Sequence, residues 1–203
     1  MEIENLSQGG FAANSYLVTN GSDAVLIDAT ASVQSVRATL AKKGATLHAI
    51  LLTHGHFDHL LTADALRDAF GVPLLVHQED AQMLLDGEKN ASLPFLGRSI
   101  TITPAEKTFA GGNFLRFGDI DFLVLHTPGH SRGSSVFRNA EAMFTGDTLF
   151  AEGYGRTDLY GGDANAMHSS LSTLFRYDSQ LRIYPGHGEN VLLHHAKKHL
   201  LYK

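Results

Sequence analysis

The 203-residue sequence contains no cysteine, and this absence restricts the chemistry that the chain can perform. Disulfides, thiolate nucleophiles and zinc sites built on thiolates are all excluded. Any metal ion must therefore be bound through imidazole and carboxylate groups. The 12 histidines are numerous beside 16 lysines and arginines, and histidine is the side chain best suited to metal binding and to proton transfer near neutral pH. The histidines therefore require a chemical explanation.

Long apolar runs and a surplus of basic residues are also missing. Apolar runs such as 49–52 and 122–125 are far shorter than the roughly 20 residues needed to cross a bilayer. The formal net charge of -5 leaves no basic surplus to neutralise phosphates. Residues 1–5 carry acids where a signal peptide would carry positive charge and an apolar run. We therefore expect no nucleic-acid partner, no membrane partner and a cytoplasmic location.

The first half of the chain alternates between the apolar period of a strand and that of a helix. Polar turn residues at 20–22 separate two short strands. Ser32 and Gly44 are the start and stop signals of an amphipathic helix. The predicted strands are 14–18, 24–27, 48–52 and 73–76, and the predicted helices are 32–43, 64–70 and 79–85.

The second half repeats this arrangement after an interruption at 89–104, where Pro94, Gly97 and Pro104 predict a loop. The predicted strands are 114–117, 122–126, 135–138, 142–145 and 180–184, and the predicted helices are 164–175 and 191–201. Two successive α/β halves predict a single domain over 1–203, built as a four-layer αββα sandwich.

Residues 53–59 form the densest group of candidate metal ligands, Thr-His-Gly-His-Phe-Asp-His, directly after an apolar strand. Imidazole and carboxylate are the ligands expected for zinc when no thiolate is available. A tight turn can direct His54 and His56 toward one metal ion while Asp58 and His59 face another. Gly55 supplies the backbone freedom that such a turn requires.

Three further candidates, His130, Asp147 and His187, each follow a predicted strand in a glycine-rich turn. Because strand ends place loop residues on a shared face, ligands far apart in sequence can converge there. Asp28, at the end of the second predicted strand, is a candidate acceptor that orients a ligand imidazole. We expect the other seven histidines to be structural or solvated: His48, His77, His126, His168, His194, His195 and His199.

The pattern His-x-His-x-Asp-His, followed by the isolated His130, Asp147 and His187, resembles the metallo-β-lactamase superfamily from about residue 12 to about residue 190. The resemblance implies a four-layer αββα fold with two divalent metal ions, zinc first, with iron or manganese as alternatives. It assigns the ligands as follows: His54, His56 and His130 hold the first ion, Asp58, His59 and His187 the second, and Asp147 bridges the two.

Within this superfamily, residues 144–150 and 155–163 are similar to the glyoxalase II-like branch and to its relatives, the persulfide dioxygenases. Superfamily members that hydrolyse β-lactams generally lack the bridging aspartate, and several use a cysteine ligand, so the resemblance does not favour antibiotic hydrolysis.

The chain ends soon after His187, as in the short single-domain type without the helical domain that binds glutathione. One departure is the absence of the glycine often found shortly after His59. Arg156 and Tyr160 are candidate substrate contacts.

The expected activity is hydrolysis by a metal-bridging hydroxide, which two ions about 3.5 to 4 Å apart can generate at neutral pH. Asp58 is the expected catalytic residue, since it can accept a hydrogen bond from the hydroxide and direct it. A thiolate with a pKa near 8.5 leaves without much help, whereas an amine must be protonated. A glyoxalase II-like thioesterase of the hydroxyacylglutathione hydrolase type, acting on a small acyl thioester, is therefore predicted, and a lactone or ester would also suit the site.

Two alternatives from other classes remain open at this point. A mononuclear iron persulfide dioxygenase could use two of His54, His56 and His130 with Asp147 as a facial set. A non-catalytic metal-binding module is the other, although its closed coordination would leave no position for water. The acyl group, the carrier thiol, the native metal and the oligomeric state are not predicted.

Overall fold

Alternating side chains along one short strand, Asp23–Ile27, show how the layers of the fold are built. Val25 and Ile27 lie in one apolar cluster and Leu26 lies in another, because successive side chains of a strand point to opposite faces of its sheet. The computed structural model describes residues 1–201. Within these residues the strands form two six-stranded sheets.

The first sheet is antiparallel at its first three strands and parallel from the third to the sixth. Its strands, in spatial order, are β1 (Glu2–Asn5), β2 (Tyr16–Asn20), β3 (Asp23–Ile27), β4 (Thr46–Leu51), β5 (Leu74–His77) and β6 (Lys107–Phe109). The second sheet is antiparallel except for one parallel pair, its fourth and fifth strands. Its strands, also in spatial order, are β7 (Phe114–Phe117), β8 (Ile120–His126), β9 (Ser135–Arg138), β10 (Ala142–Gly146), β11 (Arg182–Pro185) and β12 (Val191–Leu192).

Helices cover the outer face of each sheet. The described helices are α1 (Val33–Lys43), α2 (Ala63–Phe70), α3 (Ser92–Leu96), α4 (Ala164–Leu174) and α5 (Leu193–Leu201), with 3₁₀ segments at Phe57–His59 and Gln78–Leu85. Leu40 of α1 and Leu66 of α2 share an apolar cluster with the first sheet. Leu171 of α4 and Ala196 of α5 share another with the second sheet. The layers are therefore helix, sheet, sheet and helix, as the sequence predicts.

The interior between the sheets is built largely from aromatic side chains. Phe122, Phe137 and Phe144 are fully buried there, with the Phe137 ring centroid 6.2 Å from that of Phe122 and 5.5 Å from that of Phe109. Large buried aromatic side chains contribute much of the apolar area that stabilises such a core.

The predicted start and stop of α1 are confirmed. The Ser32 hydroxyl accepts a hydrogen bond from the Ser35 backbone N–H, and Gly44 ends the helix with a left-handed backbone. The sequence prediction missed β1, β6 and β12, which have only two to four residues each and acquire their strand geometry by pairing with a neighbour.

Other element boundaries differ from the sequence prediction. The strand predicted at 14–18 is Tyr16–Asn20, the helix predicted at 79–85 is the 3₁₀ segment Gln78–Leu85, and the last helix starts at Leu193. The region 89–104, predicted as a loop, contains α3. Pro94 fits this helix because it lies in the first turn, where no N–H donor is needed. Among the helices of residues 1–201, none has the length and apolar character needed to cross a bilayer.

Replacing Phe137 by alanine should lower the free energy of unfolding by about 3–5 kcal/mol, since the change leaves a cavity between the two sheets. The matched control is Phe114→Ala, because Phe114 is 73% exposed and surface changes usually stay within about 0.5 kcal/mol. Both values are measured by denaturant unfolding of chelator-treated protein. Equal losses in the two variants would contradict this account of the core.

Candidate metal centre

The candidate ligands lie together at one edge of the two facing sheets. His54 follows β4, His130 follows β8, Asp147 follows β10 and His187 follows β11. β8, β10 and β11 run in the same direction, because β8 and β10 are each antiparallel to β9 and β10 is parallel to β11. Their carboxyl ends therefore meet at the same edge, where they face the loop after β4.

The seven predicted ligands form three overlapping groups whose nitrogen and oxygen atoms lie within 4.8 Å of one another. The groups are His54, His56 and His130; His54, His59 and Asp147; and Asp58, His59 and His187. The first and third groups coincide with the two ligand sets that the sequence resemblance implies. Asp147 lies between them, with Oδ1 3.2 Å from His59 Nε2 and Oδ2 3.5 Å from His130 Nε2 and 3.7 Å from His187 Nε2.

These distances fit a metal centre better than a network of hydrogen bonds. His54 Nε2, His59 Nε2 and Asp147 Oδ1 are buried and make no hydrogen bond, although buried polar atoms are almost always paired. Two ligand atoms of a tetrahedral zinc ion lie about 3.3 Å apart, since each is about 2.0–2.1 Å from the metal. The residues present are therefore suited to holding divalent ions.

The electrostatics of the cluster divide its imidazoles into two kinds, one with a lowered and one with a raised pKa. Burial lowers the pKa of His54 well below its ordinary value, and the neighbouring imidazoles His59 and His130 lower it further. Burial, followed by the proximity of His130, lowers the pKa of His56 to about 3. Burial opposes ionisation of Asp147, but the adjacent imidazoles outweigh it and lower its pKa. Burial opposes protonation of His59, but the carboxylates of Asp28 and Asp147 outweigh it and raise its pKa, and the contact with Asp58 raises the pKa of His187. His54 and His56 are therefore already in the neutral form that coordinates a metal ion, whereas His59 and His187 would release a proton when a metal binds.

Asp28 lies where the sequence places an orienting carboxylate. Its Oδ2 is 2.8 Å from His59 Nδ1, and its Oδ1 accepts a hydrogen bond from the Thr53 backbone N–H at 2.8 Å. The residue is buried and has a positive φ of 59°, a conformation uncommon outside glycine that aspartate tolerates better than most residues. These contacts fix the ring of His59 with its Nε2 toward Asp147.

Asp80 is a residue of this centre that sequence reasoning missed. Its buried carboxylate accepts hydrogen bonds from the Gly55 backbone N–H at 3.0 Å, the Ser131 hydroxyl at 2.6 Å and the Gly133 backbone N–H at 2.7 Å. Gly55 lies between His54 and His56, while Ser131 follows His130. One carboxylate therefore joins two ligand loops that belong to different sheets. No local motif marks Asp80, because its partners lie 25 to 53 residues away.

Asn14 and Gly186 hold the loop that carries His187, and sequence reasoning missed both. The Asn14 side-chain amide donates to the Pro185 and Gly188 carbonyls, and its backbone N–H donates to the Gly186 carbonyl. A side chain on Gly186 would overlap Asp147 and His59. Glycine at this position therefore lets the chain pass directly beside the ligand cluster.

The two predicted substrate contacts lie in different surroundings. Arg156 lines the cavity above the candidate ligands, but its guanidinium forms a two-pronged ion pair with Asp158 at 2.6 and 2.7 Å. Tyr160 is not among the described residues that line this cavity. Its ring lies between Lys89 and Arg132, with their charged groups 5.6 and 5.7 Å from its centroid.

Comparison with known protein families defines the class to which this fold and site belong. The family model of the metallo-β-lactamase superfamily matches residues 8–187. The chain therefore belongs to this superfamily.

Individual relatives cover nearly the whole chain. The Bacillus subtilis protein named "Probable metallo-hydrolase YqgX" is 32% identical over 191 residues, which make up 93% of this chain and 90% of that protein. The Haemophilus influenzae hydroxyacylglutathione hydrolase GloC is 30% identical over 203 residues, covering 98% and 96% of the two chains.

Solved structures show the same fold. The crystal structure of BLEG-1, described as a B3 metallo-β-lactamase, has a TM-score of 0.92, 32% identity and 99% coverage of both chains. TTHA1623, in a di-iron-bound form, has a TM-score of 0.83 and 32% identity, covering 96% of this chain and 97% of its own. ETHE1 from Myxococcus xanthus has a TM-score of 0.76 and 26% identity, covering 98% and 83%. The di-iron neighbour means that the metal is not fixed by the fold.

Purified parent protein should carry about two metal ions per chain, and Asp147→Ala should lose metal and turnover together, since both candidate ions share Asp147. The loss of metal affinity should exceed about 100-fold, the upper range for groups that only orient ligands. Elemental analysis, competition with a chelator and activity provide the three measurements. His168→Ala, at an exposed position of α4, is the control and should retain both properties. Parent-like metal content in Asp147→Ala would show that the two-ion assignment is wrong.

Asp80→Asn should weaken metal binding by about 10- to 100-fold, because an amide cannot accept all three hydrogen bonds that hold the ligand loops. The neighbouring exposed acid provides the control Glu79→Gln, which should bind metal as the parent does. Metal affinity and unfolding of the metal-free protein are measured in parallel. A loss of unfolding free energy without a change in metal affinity would assign Asp80 a purely structural role.

Proposed function

We propose that this chain is a metal-dependent hydrolase of the glyoxalase II-like type that cleaves acyl thioesters. The observation that carries this proposal is the make-up of the cavity above the candidate ligands. Among the lining residues that the structure describes, the polar side chains are candidate ligands and Arg156. These residues include no lysine, no tyrosine and no spare histidine that could protonate a departing amine. A thiolate, with a pKa near 8.5, leaves without such a donor.

In the proposed enzyme, His54, His56 and His130 would hold one divalent ion, Asp58, His59 and His187 would hold a second, and Asp147 would be shared by the two. The groups of ligand atoms within 4.8 Å of one another support this assignment. When bound, two such ions supply a water of lowered pKa and positive charge for the carbonyl oxygen. Zinc is the first candidate, with iron or manganese as alternatives, and similarity to a di-iron structure supports testing iron.

Asp58 is the proposed catalytic residue. Its Oδ2 lies 3.2 Å from His187 Nε2, and its side chain lines the cavity. The other carboxylate oxygen accepts a hydrogen bond from the attacking water and directs the water toward the carbonyl carbon. Asp58 also belongs to the group of candidate ligands formed with His59 and His187. Its carboxylate would therefore bind a metal ion as well as orient the attacking water. Similarity to GloC, named a hydroxyacylglutathione hydrolase, supports thioester chemistry. Lactones and esters suit the same arrangement.

A specific similarity favours one second candidate, an iron-dependent persulfide dioxygenase. The chain is 26% identical to ETHE1 from Myxococcus xanthus. Furthermore, His54, His59 and Asp147 form a compact group of two imidazoles and one carboxylate, the ligand set of many non-haem iron oxygenases. β-Lactam hydrolysis, suggested by similarity to BLEG-1, is less favoured because its amide nitrogen must be protonated as it leaves.

The metal-loaded protein should release free thiol from small thioesters such as S-lactoylglutathione, without oxygen. Its kcat/KM for thioesters should exceed that for β-lactams by about 100-fold or more, since a missing proton donor typically costs about 100- to 10,000-fold. Thiol release and β-lactam hydrolysis are followed on the same preparation, with oxygen uptake monitored on glutathione persulfide.

Two outcomes would move the assignment elsewhere. Oxygen consumption with glutathione persulfide, combined with no thiol release from any thioester, would assign the chain to the dioxygenases. Faster turnover of β-lactams than of every thioester would assign it to the β-lactamases.

A further inference from the structure

Two phenylalanines are unusually exposed beside the candidate metal centre. Phe11 is 59% exposed and Phe95 is 54% exposed, and both line the cavity above the ligands. The ring centroid of Phe57 lies 6.0 Å from that of Phe11 and 6.3 Å from that of Phe95. Large apolar side chains clustered at a cavity mark a surface that contacts a ligand.

The cavity has a volume of about 400 Å³ and is lined by candidate metal ligands and by apolar side chains. Candidate ligands including His56, His130 and Asp147 form the floor. The apolar lining residues are Phe11, Phe57, Ala91, Phe95, Phe150 and Leu159. An arrangement of few polar groups within apolar walls is typical of small-molecule sites, in which the polar groups orient the ligand.

Away from the candidate ligands, the walls of this cavity offer little positive charge to an anionic substrate group. In the described part of the chain, Arg156 is the only lysine or arginine that lines it. Its guanidinium is already paired with both carboxylate oxygens of Asp158, and its central carbon lies 5.5 Å from the Phe95 ring centroid. Arg156 therefore extends the aromatic wall with its charge matched by Asp158, and no other lysine or arginine of the described lining can pair with a carboxylate held against that wall.

We propose that the substrate carries an apolar, uncharged arm that lies against Phe11, Phe57 and Phe95 while its scissile carbonyl lies over the candidate ligands. This inference rests on the proposed function and specifies its substrate class. Glutathione thioesters, whose carboxylates find no cation on these walls, are then cleaved less efficiently than thioesters of an apolar thiol. The arm is either the acyl group or the thiol substituent of the thioester. In either case the part of the substrate that contacts these walls is apolar and uncharged.

The test compares two series of thioesters on the metal-loaded protein. In the first, acetyl, butanoyl, hexanoyl and succinyl groups are each joined to N-acetylcysteamine. In the second, one acetyl group is joined to alkyl thiols of increasing length. In one of the two series kcat/KM rises about three- to fourfold for each added methylene group. Where the acyl series responds, the succinyl thioester falls below the butanoyl thioester by more than about tenfold, because a carboxylate held against the apolar wall is desolvated without a partner there.

Two alanine variants test whether the aromatic side chains of the cavity cause the preference for longer apolar arms. Phe95→Ala and Phe11→Ala each lower the ratio of kcat/KM between the longest and shortest members of the responsive series. Phe114→Ala is the matched control, since Phe114 is an exposed phenylalanine of β7 outside this cavity, and it keeps the parent ratio. A parent-like ratio in both cavity variants overturns the inference.

A binding experiment separates failure of the inference from failure of the proposed function. S-hexyl-N-acetylcysteamine, a thioether that cannot be hydrolysed, and its analogue with a terminal carboxylate on the hexyl chain are titrated calorimetrically into metal-loaded protein. Tighter binding of the neutral ligand supports the apolar arm even where no thioester is cleaved, an outcome that removes only the thioesterase proposal. Thioester cleavage with no dependence on chain length, or preference for the carboxylated ligand, overturns the inference and leaves the thioesterase proposal intact.

Discussion

Seven imidazole and carboxylate groups lie on loops that follow strands of both sheets, and they must come close enough together to bind metal ions. The rest of the structure depends on this requirement. Side-chain packing alone does not fix loops to that accuracy, since each candidate ligand lies beyond a strand end. Backbone hydrogen bonds join the sheets at this edge, from the Ser135 N–H to the Thr53 carbonyl and from the Asn14 N–H to the Gly186 carbonyl. The Asp80 carboxylate adds three more bonds between ligand loops.

The same arrangement concentrates negative charge that no lysine or arginine of residues 1–201 is placed to neutralise. Asp28, Asp80 and Asp147 are buried, and among the described residues they contact histidines, hydroxyls and backbone N–H groups. A buried carboxylate without a cationic partner is costly. Bound divalent ions would supply the missing charge, so metal binding and folding stability are coupled in this protein.

Local sequence patterns predict the features of this protein that depend on local spacing. The period of apolar residues predicts the layers, and the dense segment 53–59 predicts the ligands. Contacts made by folding together distant segments leave no such pattern. Asp80 is one acid among many in the sequence, and its role depends on backbone N–H groups brought to it from two loops. Phe95 lies in the region 89–104, where broken periodicity predicts a loop, and only the fold places it beside the ligands.

Apart from Phe57 and Phe150, the apolar wall residues of the cavity lie away from the candidate ligands in sequence, which helps to explain how one superfamily contains proteins with different names and activities. GloC, ETHE1 and BLEG-1 are all similar to this chain over most of its length, so the shared fold cannot by itself select a substrate. In this chain the walls come from Phe11, before β2, from Phe95 on α3 and from Leu159 after β10. Segments outside the sheets tolerate substitution without disturbing the core. Substrate choice can therefore change at these walls while the ligand loops and their anchoring carboxylates stay the same.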